Sequence, residues 1–485
     1  MSKENKTEDQ VYDKVPSFGG VLFVLLFLAV GMGISVLWLG IPVHVTLILT
    51  IVVASIVAMR TGYTWEQIQD AMLYGANIAM LPMLILMVIG VVIGTWVASG
   101  TIQTIIYYGL QILAPSYFLV AASIIVALTS MSTGSSYTSG GTVGVAMMGI
   151  GAGLGVPAAM TAGAVVSGAM IGDKMSPLSD STNLASAVGE ADLFGHIKSM
   201  MYTTIPAFIL ALLAYGILGF FFTKGGAETG QVELILNTLN ESFTINPILL
   251  LPPVIVIWMA VKEVPSLPTM IISSIVAGIL AMIFQGSTLS EITNVMNYGY
   301  TGNTGVEMVD ELLTRGGLQS MMWTVSLGFV GVGLGGILEK TRMLEVFLGK
   351  LEDLIKTTGG LISTTVASAI IMNLATASQY MAIIITGRMV IPEFKKKKLL
   401  PRVLSRTLED SGTVFSPLVP WGLCGVFFTG ALGVSTIKYA PFAFLGYFVP
   451  IIAVIYGYTG YAIWHEGDIE SAETYADSED INLSE

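Results

Sequence analysis

Two stretches of this 485-residue chain concentrate side chains able to hold a small cation. The first is Gly172-Asp173-Lys174-Met175-Ser176-Pro177-Leu178-Ser179-Asp180-Ser181-Thr182-Asn183, and the second is Glu409-Asp410-Ser411-Gly412-Thr413-Val414-Phe415-Ser416-Pro417. Each interrupts two apolar runs. Proline cannot donate a backbone hydrogen bond and clashes with a continuing helix. Ser, Thr, Asp and Asn satisfy the freed backbone groups or cap a new helix. An unwound segment of this kind offers carbonyls, hydroxyls and carboxylates, the hard oxygen donors that suit Na⁺. Burial also disfavours a charged carboxylate, so such an acid can trade a proton for a cation. Asp173, Asp180, Glu409 and Asp410 are the candidate acids, with Asp173, Asp180 and Asp410 the candidate Na⁺ ligands. Ser176, Thr182, Asn183, Thr413 and Ser416 are the neutral candidates beside them. Lys174 either neutralises Asp173 or stretches to the interface.

A second pair of polar stretches has the same character. Thr129–Thr142 is dense in Gly, Ser and Thr, and Asn373–Tyr380 resembles it. Thr133, Ser135, Ser136 and Tyr137, with Thr376, Ser378 and Gln379, are the binding candidates there. Helix N-termini at these breaks could also cradle a carboxylate.

The elements that must position these residues are apolar helices. The chain is 54% hydrophobic and 11% charged, against about a quarter charged in soluble proteins. It cannot cover itself with a polar surface, which excludes a soluble enzyme. Long apolar stretches recur from 18–39 to 439–464; several reach the roughly 20 residues a spanning helix needs, and several are short. The stretch 18–39 continues without a cleavage-like site, so it is expected to be a retained helix. The expected architecture is an all-α polytopic membrane protein with 10–13 embedded segments. Of the net charge of −12, eight acids fall in 466–485, where there is no Lys or Arg, so the acidity belongs to a tail. Nothing forms the basic stripe of a nucleic-acid binder. A lone Cys424 excludes a disulfide framework.

The motifs repeat. Thr133–Tyr137 returns as Thr376–Tyr380, 243 residues on; Asp173 with the Ser-Pro-Leu string at 176 returns as Asp410 with the string at 416, the strings 240 apart; Gly94 and Gly335 stand 241 apart. Upstream, Gln67…Gly75 resembles Glu291…Gly299 at an offset of 224, and an insertion near 300–316 restores the register. Charge gives the sense of the repeat. Segments 339–356 and 388–406 hold four and seven basic residues, whereas their counterparts 98–114 and 145–163 hold none. Equivalent loops of opposite bias belong on opposite sides of a membrane, as in inverted-topology transporters with broken helices or re-entrant hairpins. The expected layout is 1–17 cytoplasmic, 18–222 first repeat, 223–245 linker, 246–464 second repeat and 465–485 acidic tail, with both termini cytoplasmic. The membrane is expected to be a bacterial inner or plasma membrane.

Blander readings stand beside these. Ser-Pro and Gly-Ser clusters also form plain surface loops, but recurrence in both halves favours a site. His44 reads as a packed or interfacial residue, and Glu307, Asp310 and Glu311 as a solvated loop. The 26 Met read as helix-packing filler, and Trp38, Trp65, Trp96, Trp421 and Trp464 as interfacial anchors. Enzyme readings fail: Gly-x-Gly-Asp is missing its first Gly, the three His are scattered, and no phosphate loop is present.

The string from Gly172 to Ala185 resembles the signature of the NhaC-type Na⁺/H⁺ antiporter family, and chain length, the 129–142 stretch and the second Ser-Pro-Leu agree. The resemblance implies inverted repeats, broken helices, no cofactor, and Na⁺ and H⁺ as the transported ions. Similar proteins also couple malate and lactate or move amino acids, so a small carboxylate or amino acid is the alternative cargo. The expected mechanism is alternating access. Na⁺ binds among Asp173, Asp180, Asn183 and nearby hydroxyls, while Glu409, Asp410 and Ser416 complete or gate the site. Na⁺ and H⁺ compete at midplane carboxylates. A homodimer is compatible with the sequence.

Overall fold

A computed structural model describes residues 14–35, 42–223, 229–262, 264–350 and 356–468. Segment 1–13, Trp38 and the acidic tail beyond 468 lie outside the described residues. Helices joined by short connections make up the described residues, with isolated bridges at Tyr300–Arg315 and Leu399–His465. Among the described residues, seven helices are long and apolar enough to cross a membrane, and ten spans result if three bent pairs each count as one. In hydrocarbon every amide must be satisfied within its own segment, which is why such a sequence folds as helices. The chain is a multi-pass membrane protein.

Helix starts recur in pairs. Val43–Thr61 and Ser266–Phe284 both run 19 residues and both follow a proline cap, Pro42 and Pro265. Trp65–Ala98 and Leu289–Tyr298 both open on capping boxes, Thr64 with Gln67 and Thr288 with Glu291. Later starts fall at 115 and 358, 158 and 401, 180 and 423, and 193 and 436, each pair 243 residues apart.

The two series differ at the insertion. Trp65–Ala98 is one helix of 34 residues, whereas its counterpart stops at Tyr298 and resumes at Leu318. The expected loop between them contains the short helix Glu307–Leu313. The Asp310 carboxylate accepts from the Thr304 amide at 2.6 Å and its hydroxyl at 2.8 Å, and the hydrogen bond from the amide holds this half-buried carboxyl below the usual range. Gly317 N–H donates to Gly90 O at 2.6 Å, seating the insertion on the long helix.

Helices Trp65–Ala98 and Met322–Lys340 meet at Gly75 and Gly336. A Cβ on Gly75 would overlap the Val332 carbonyl, and one on Gly336 the Ala71 carbonyl. Small residues permit such close backbone approach. Gly336→Val is therefore expected to destabilise by about 1–3 kcal/mol or more, as overpacking does. Thermal unfolding in detergent checks this, and an unchanged midpoint would count against the close crossing.

Of the expected interfacial tryptophans, Trp65 is exposed but Trp96 and Trp421 are buried. Trp96 Nε1 donates to Ser273 Oγ (3.1 Å) and Trp421 Nε1 to Leu374 O (2.8 Å). Their span ends abut other helices, so the indoles pack in protein instead of lipid headgroups. Trp464 lies against Arg406, whose guanidinium is 5.4 Å from the ring. His44 Nε2 sits 2.9 Å from Ser326 Oγ with its ring edge-on to Trp323, a packed position.

Candidate functional site

The breaks come first, because they create the site. Helix Pro115–Thr133 ends at Gly134 in the left-handed region (φ 65°), and Ser135 then caps a new start by accepting the Thr138 amide at 3.2 Å. Helix Thr358–Thr376 ends the same way at Ala377 (φ 59°), and Ser378 accepts the Met381 amide. Left-handed backbone costs a non-glycine residue roughly 1–2 kcal/mol. The Leu423 amide, donating to Ala377 O at 2.8 Å, helps hold it there. Thr133 and Thr376 each accept the amide two residues on, at 3.3 Å, so both turns are closed by a threonine hydroxyl.

Asp173 lies in the last turn of helix Ala158–Met175 and is buried. Its carboxylate accepts the Ser136 amide at 2.7 Å and the Ser136 hydroxyl at 2.5 Å. Its carbonyl has no partner within the ending helix. Ser181 Oγ (3.0 Å) and Thr182 Oγ1 (2.6 Å) donate to it instead. Asn183 donates to the carbonyls of Pro177 and Ser179, both at 2.8 Å. Ser176 Oγ accepts the Leu178 amide at 3.4 Å. Ser176, Thr182 and Asn183 thus hold the backbone of the break open.

The second break carries the same contacts in neutral form. Ser416 Oγ donates to Gln379 Oε1 (2.9 Å), and Cys424 Sγ approaches the same oxygen at 3.3 Å. Tyr137 OH lies 3.2 Å from Cys424 Sγ and its ring stacks on Phe427, which ties the two breaks together. The Ser136–Asp173 and Gln379–Ser416 bonds both span 37 residues. Ser130 Oγ→Ala169 O and Asn373 Nδ2→Gly412 O both span 39. In this register Asp173 corresponds to Ser416, not Asp410, and the Ser-Pro-Leu strings stand three residues out of step. The strings match because proline recurs at breaks, whereas contacts between helices follow the spacing of the helix starts.

Glu409, Asp410 and Thr413 occupy a π-helical turn, Glu409–Thr413, that continues helix Pro401–Leu408. Such turns are frequent at functional sites. Lys174 pairs with Asp410 Oδ1, and both side chains are fully buried. Thr203 Oγ1 donates to the same oxygen at 2.9 Å, and Arg406 Nε is 4.0 Å from the other. Lys174 therefore neither pairs with Asp173 nor reaches the interface. Thr413 Oγ1 donates to Glu409 Oε2.

A cavity of about 520 Å³ lies where the breaks meet. Thr133, Ser135, Tyr137, Asp173, Asp180 and Ser181 line one side, and Gln379 and Tyr380 come from the second break. Ile78, Leu81, Pro82 and Ile85 form an apolar wall. Asp180, first residue of helix Asp180–Val188, is exposed there, at the helix end that favours an anion. Thr138 Oγ1 donates to Ser266 Oγ (2.9 Å) at the cavity edge. Glu409, Asp410 and Lys174 do not line the cavity. Thr376, Ser378, Thr413 and Ser416 are buried behind it.

Thr203, Ser266, His196, Arg406 and Cys424 also belong to this assembly and escape a sequence reading. Arg406 is visible only as one more charge in a basic cluster. The others carry no local signal, because their partners lie far away in the chain.

Comparison with known proteins matches residues 168–461 to the Na⁺/H⁺ antiporter family. The chain is 37% identical over 448 residues to the Na⁺/H⁺ antiporter NhaC of Alkalihalophilus pseudofirmus, covering 92% of this chain and 96% of that protein. It is 36% identical over 453 residues to the malate-2H⁺/Na⁺-lactate antiporter of Bacillus subtilis, covering 93% and 97%. It is also 36% identical over 474 residues to the arginine/ornithine antiporter ArcD of Halobacterium salinarum, covering 97% and 98%.

Proposed function

The chain belongs to the Na⁺/H⁺ antiporter family, and from that premise we propose that it exchanges Na⁺ for H⁺ by alternating access. The observation that carries the reading is the cavity at the meeting of the breaks, with Asp173 at its wall. Asp173 and Asp180 supply the charge for Na⁺, and hydroxyl and carbonyl oxygens of 133–137 and 176–183 supply neutral ligands. The four acids of the two breaks are the groups through which protons exert their opposing effect.

The paired helix starts, paired caps and paired hydrogen bonds support two repeats over 18–222 and 246–464. The basic residues of 339–356 and 388–406, absent from their counterparts, support an inverted relation and cytoplasmic termini. Alternating access then moves one repeat against the other around the cavity.

The test is transport by the purified chain in liposomes with an internal pH dye. An inward Na⁺ gradient is expected to alkalinise the lumen, and absence of Na⁺-dependent proton movement would overturn the reading. The cavity volume, larger than one cation requires, favours a second reading, in which a small carboxylate or amino acid travels with the ions. Adding malate, lactate, arginine or ornithine to the same assay separates the two, because an obligatory cargo makes proton movement depend on it.

A further inference from the structure

We propose that the acidic segment 469–485 docks on the basic surface Lys395–Lys398 of its own chain, over the connection between the two helices that frame the second break. Docking of this kind goes beyond the exchange reading and stands apart from it.

The surface is built at a helix end. Helix Gln379–Lys396 closes with Lys395 and Lys396 in its last turn, and Lys397 and Lys398 follow. Lys398 sits in the left-handed region (φ 53°), where glycine is the usual residue. Segment 388–406 carries seven basic residues and a single acid, Glu393. Two of the lysines have a carboxylate nearby: Lys395 Nζ is 3.2 Å from Glu190 Oε2, and Lys396 Nζ is 3.5 Å from Glu393 Oε1. Lys397 Nζ donates to a neutral group, Lys356 O, at 3.1 Å. Among the described residues, Lys397 and Lys398 form no ion pair. Lys356, Lys396 and Lys398 are exposed. The surface therefore carries positive charge that the described residues leave unbalanced.

The chain returns to this surface just before its acidic segment. Residues 464–466 run antiparallel to 398–400: Leu400 N–H donates to Trp464 O and Glu466 N–H to Lys398 O, both at 2.9 Å. The Arg402 guanidinium is 5.7 Å from the Trp464 ring, and Arg406 Nη1 donates to Ala462 O at 2.9 Å. Asp468 Oδ2 then accepts the His465 amide at 2.8 Å, closing a turn through Gly467 (φ 97°).

Residues 469–485 lie outside the described residues. They hold Glu470, Glu473, Asp477, Glu479, Asp480 and Glu485, and no Lys or Arg. Glu470 follows Glu466 by four residues, at most about 14 Å along the chain. So short a tether gives an effective concentration in the millimolar range. Single exposed ion pairs are weak, but several acids delivered together at that concentration suffice. A helix C-terminus and a cytoplasmic face both favour lysines. Neither accounts for a chain that is bonded onto the lysines and continues with acids as its sole charges.

Placement gives docking its consequence. Helix Gln379–Lys396 starts at the second break, and Pro401, shortly past Lys398, opens the helix that runs into Glu409–Thr413. A docked tail covers the corner joining these helices, and salt governs its hold.

The experiment is zero-length cross-linking of the purified full chain with a water-soluble carbodiimide, mapped by mass spectrometry. Mixing unlabelled and isotope-labelled protein separates links within one chain from links between chains. At about 0.01 M salt, where charges interact over roughly 30 Å, Lys395–Lys398 should link to acids within 470–480 of the same chain. At about 1 M, where that range is roughly 3 Å, these links should vanish. The Lys395–Glu190 link is the positive control. A second measurement is acetylation of Lys396 and Lys398. The full chain carrying Glu470→Gln, Glu473→Gln, Asp477→Asn, Glu479→Gln and Asp480→Asn should react there about tenfold faster than wild type at low salt, since a docked amine reacts from the minor free state. Absence of links to 470–480 beside an intact Lys395–Glu190 link would overturn the proposal, and so would equal acetylation. Links found solely between chains would overturn it too, since the tail then docks on a second copy. Links that form in phosphatidylcholine vesicles and disappear in phosphatidylglycerol vesicles would give the surface to lipid headgroups instead. None of these readouts involves transport, so failure of the exchange reading leaves them untouched.

Discussion

Asp173→Asn is expected to lower Na⁺-driven proton exchange in liposomes by about 10²- to 10⁴-fold, the equivalent of the 3–5 kcal/mol at stake when a buried charge, here the bound Na⁺, loses its partner. The substitution keeps the shape of the side chain. The asparagine oxygen can still accept the Ser136 amide, and its NH₂ can donate to the Ser136 hydroxyl, now turned to accept. The carbonyl of residue 173, held by Ser181 and Thr182, is untouched. Folding should therefore survive while the negative charge facing the cavity is lost. Ser136→Ala, which removes one hydrogen bond to the carboxylate, should cost much less, about 1.5–3 kcal/mol at most. Wild-type exchange in Asp173→Asn would remove this residue from the cation site.

The second large effect concerns stability. Lys174→Met and Asp410→Leu, made singly, should each destabilise the detergent-solubilised protein by about 3–5 kcal/mol, because each strands a buried charge. The double variant should recover only part of that loss: replacing a buried pair with apolar residues is often neutral, but here buried Arg406 also loses Asp410. The pair joins the first break to the second across 236 residues, so the cycle measures a contact between the two halves of the chain. Unfolding midpoints of the four proteins give the coupling, and simply additive single effects would mean that the pair is not an energetic unit.

Much of this molecule is legible in one dimension. Apolar runs with too little charge for a soluble surface specify membrane helices, because hydrocarbon leaves the backbone no other partner. Pro177 and Pro417, each flanked by Ser, Thr and Asp, mark breaks, because local chemistry ends a helix wherever the chain lies. The recurrence of Thr133–Tyr137 at Thr376–Tyr380 carries the register of 243 that the helix starts follow. Trp96 and Trp421 mislead because position near a span end does not reveal whether lipid or another helix lies alongside.

What the sequence determined by itself was the inventory: helices, breaks, and the four acids placed at the breaks. The tertiary structure decided how those acids are divided. It set Asp173 and Asp180 on a cavity, sent Lys174 past its neighbour Asp173 to Asp410, and buried Glu409 away from that cavity. It also made Ser416, not Asp410, the counterpart of Asp173. The reason is one of range. Solvation and helix breaking act on a residue through its near neighbours in the chain, whereas a buried charge finds its partner through helix packing, here across 236 residues.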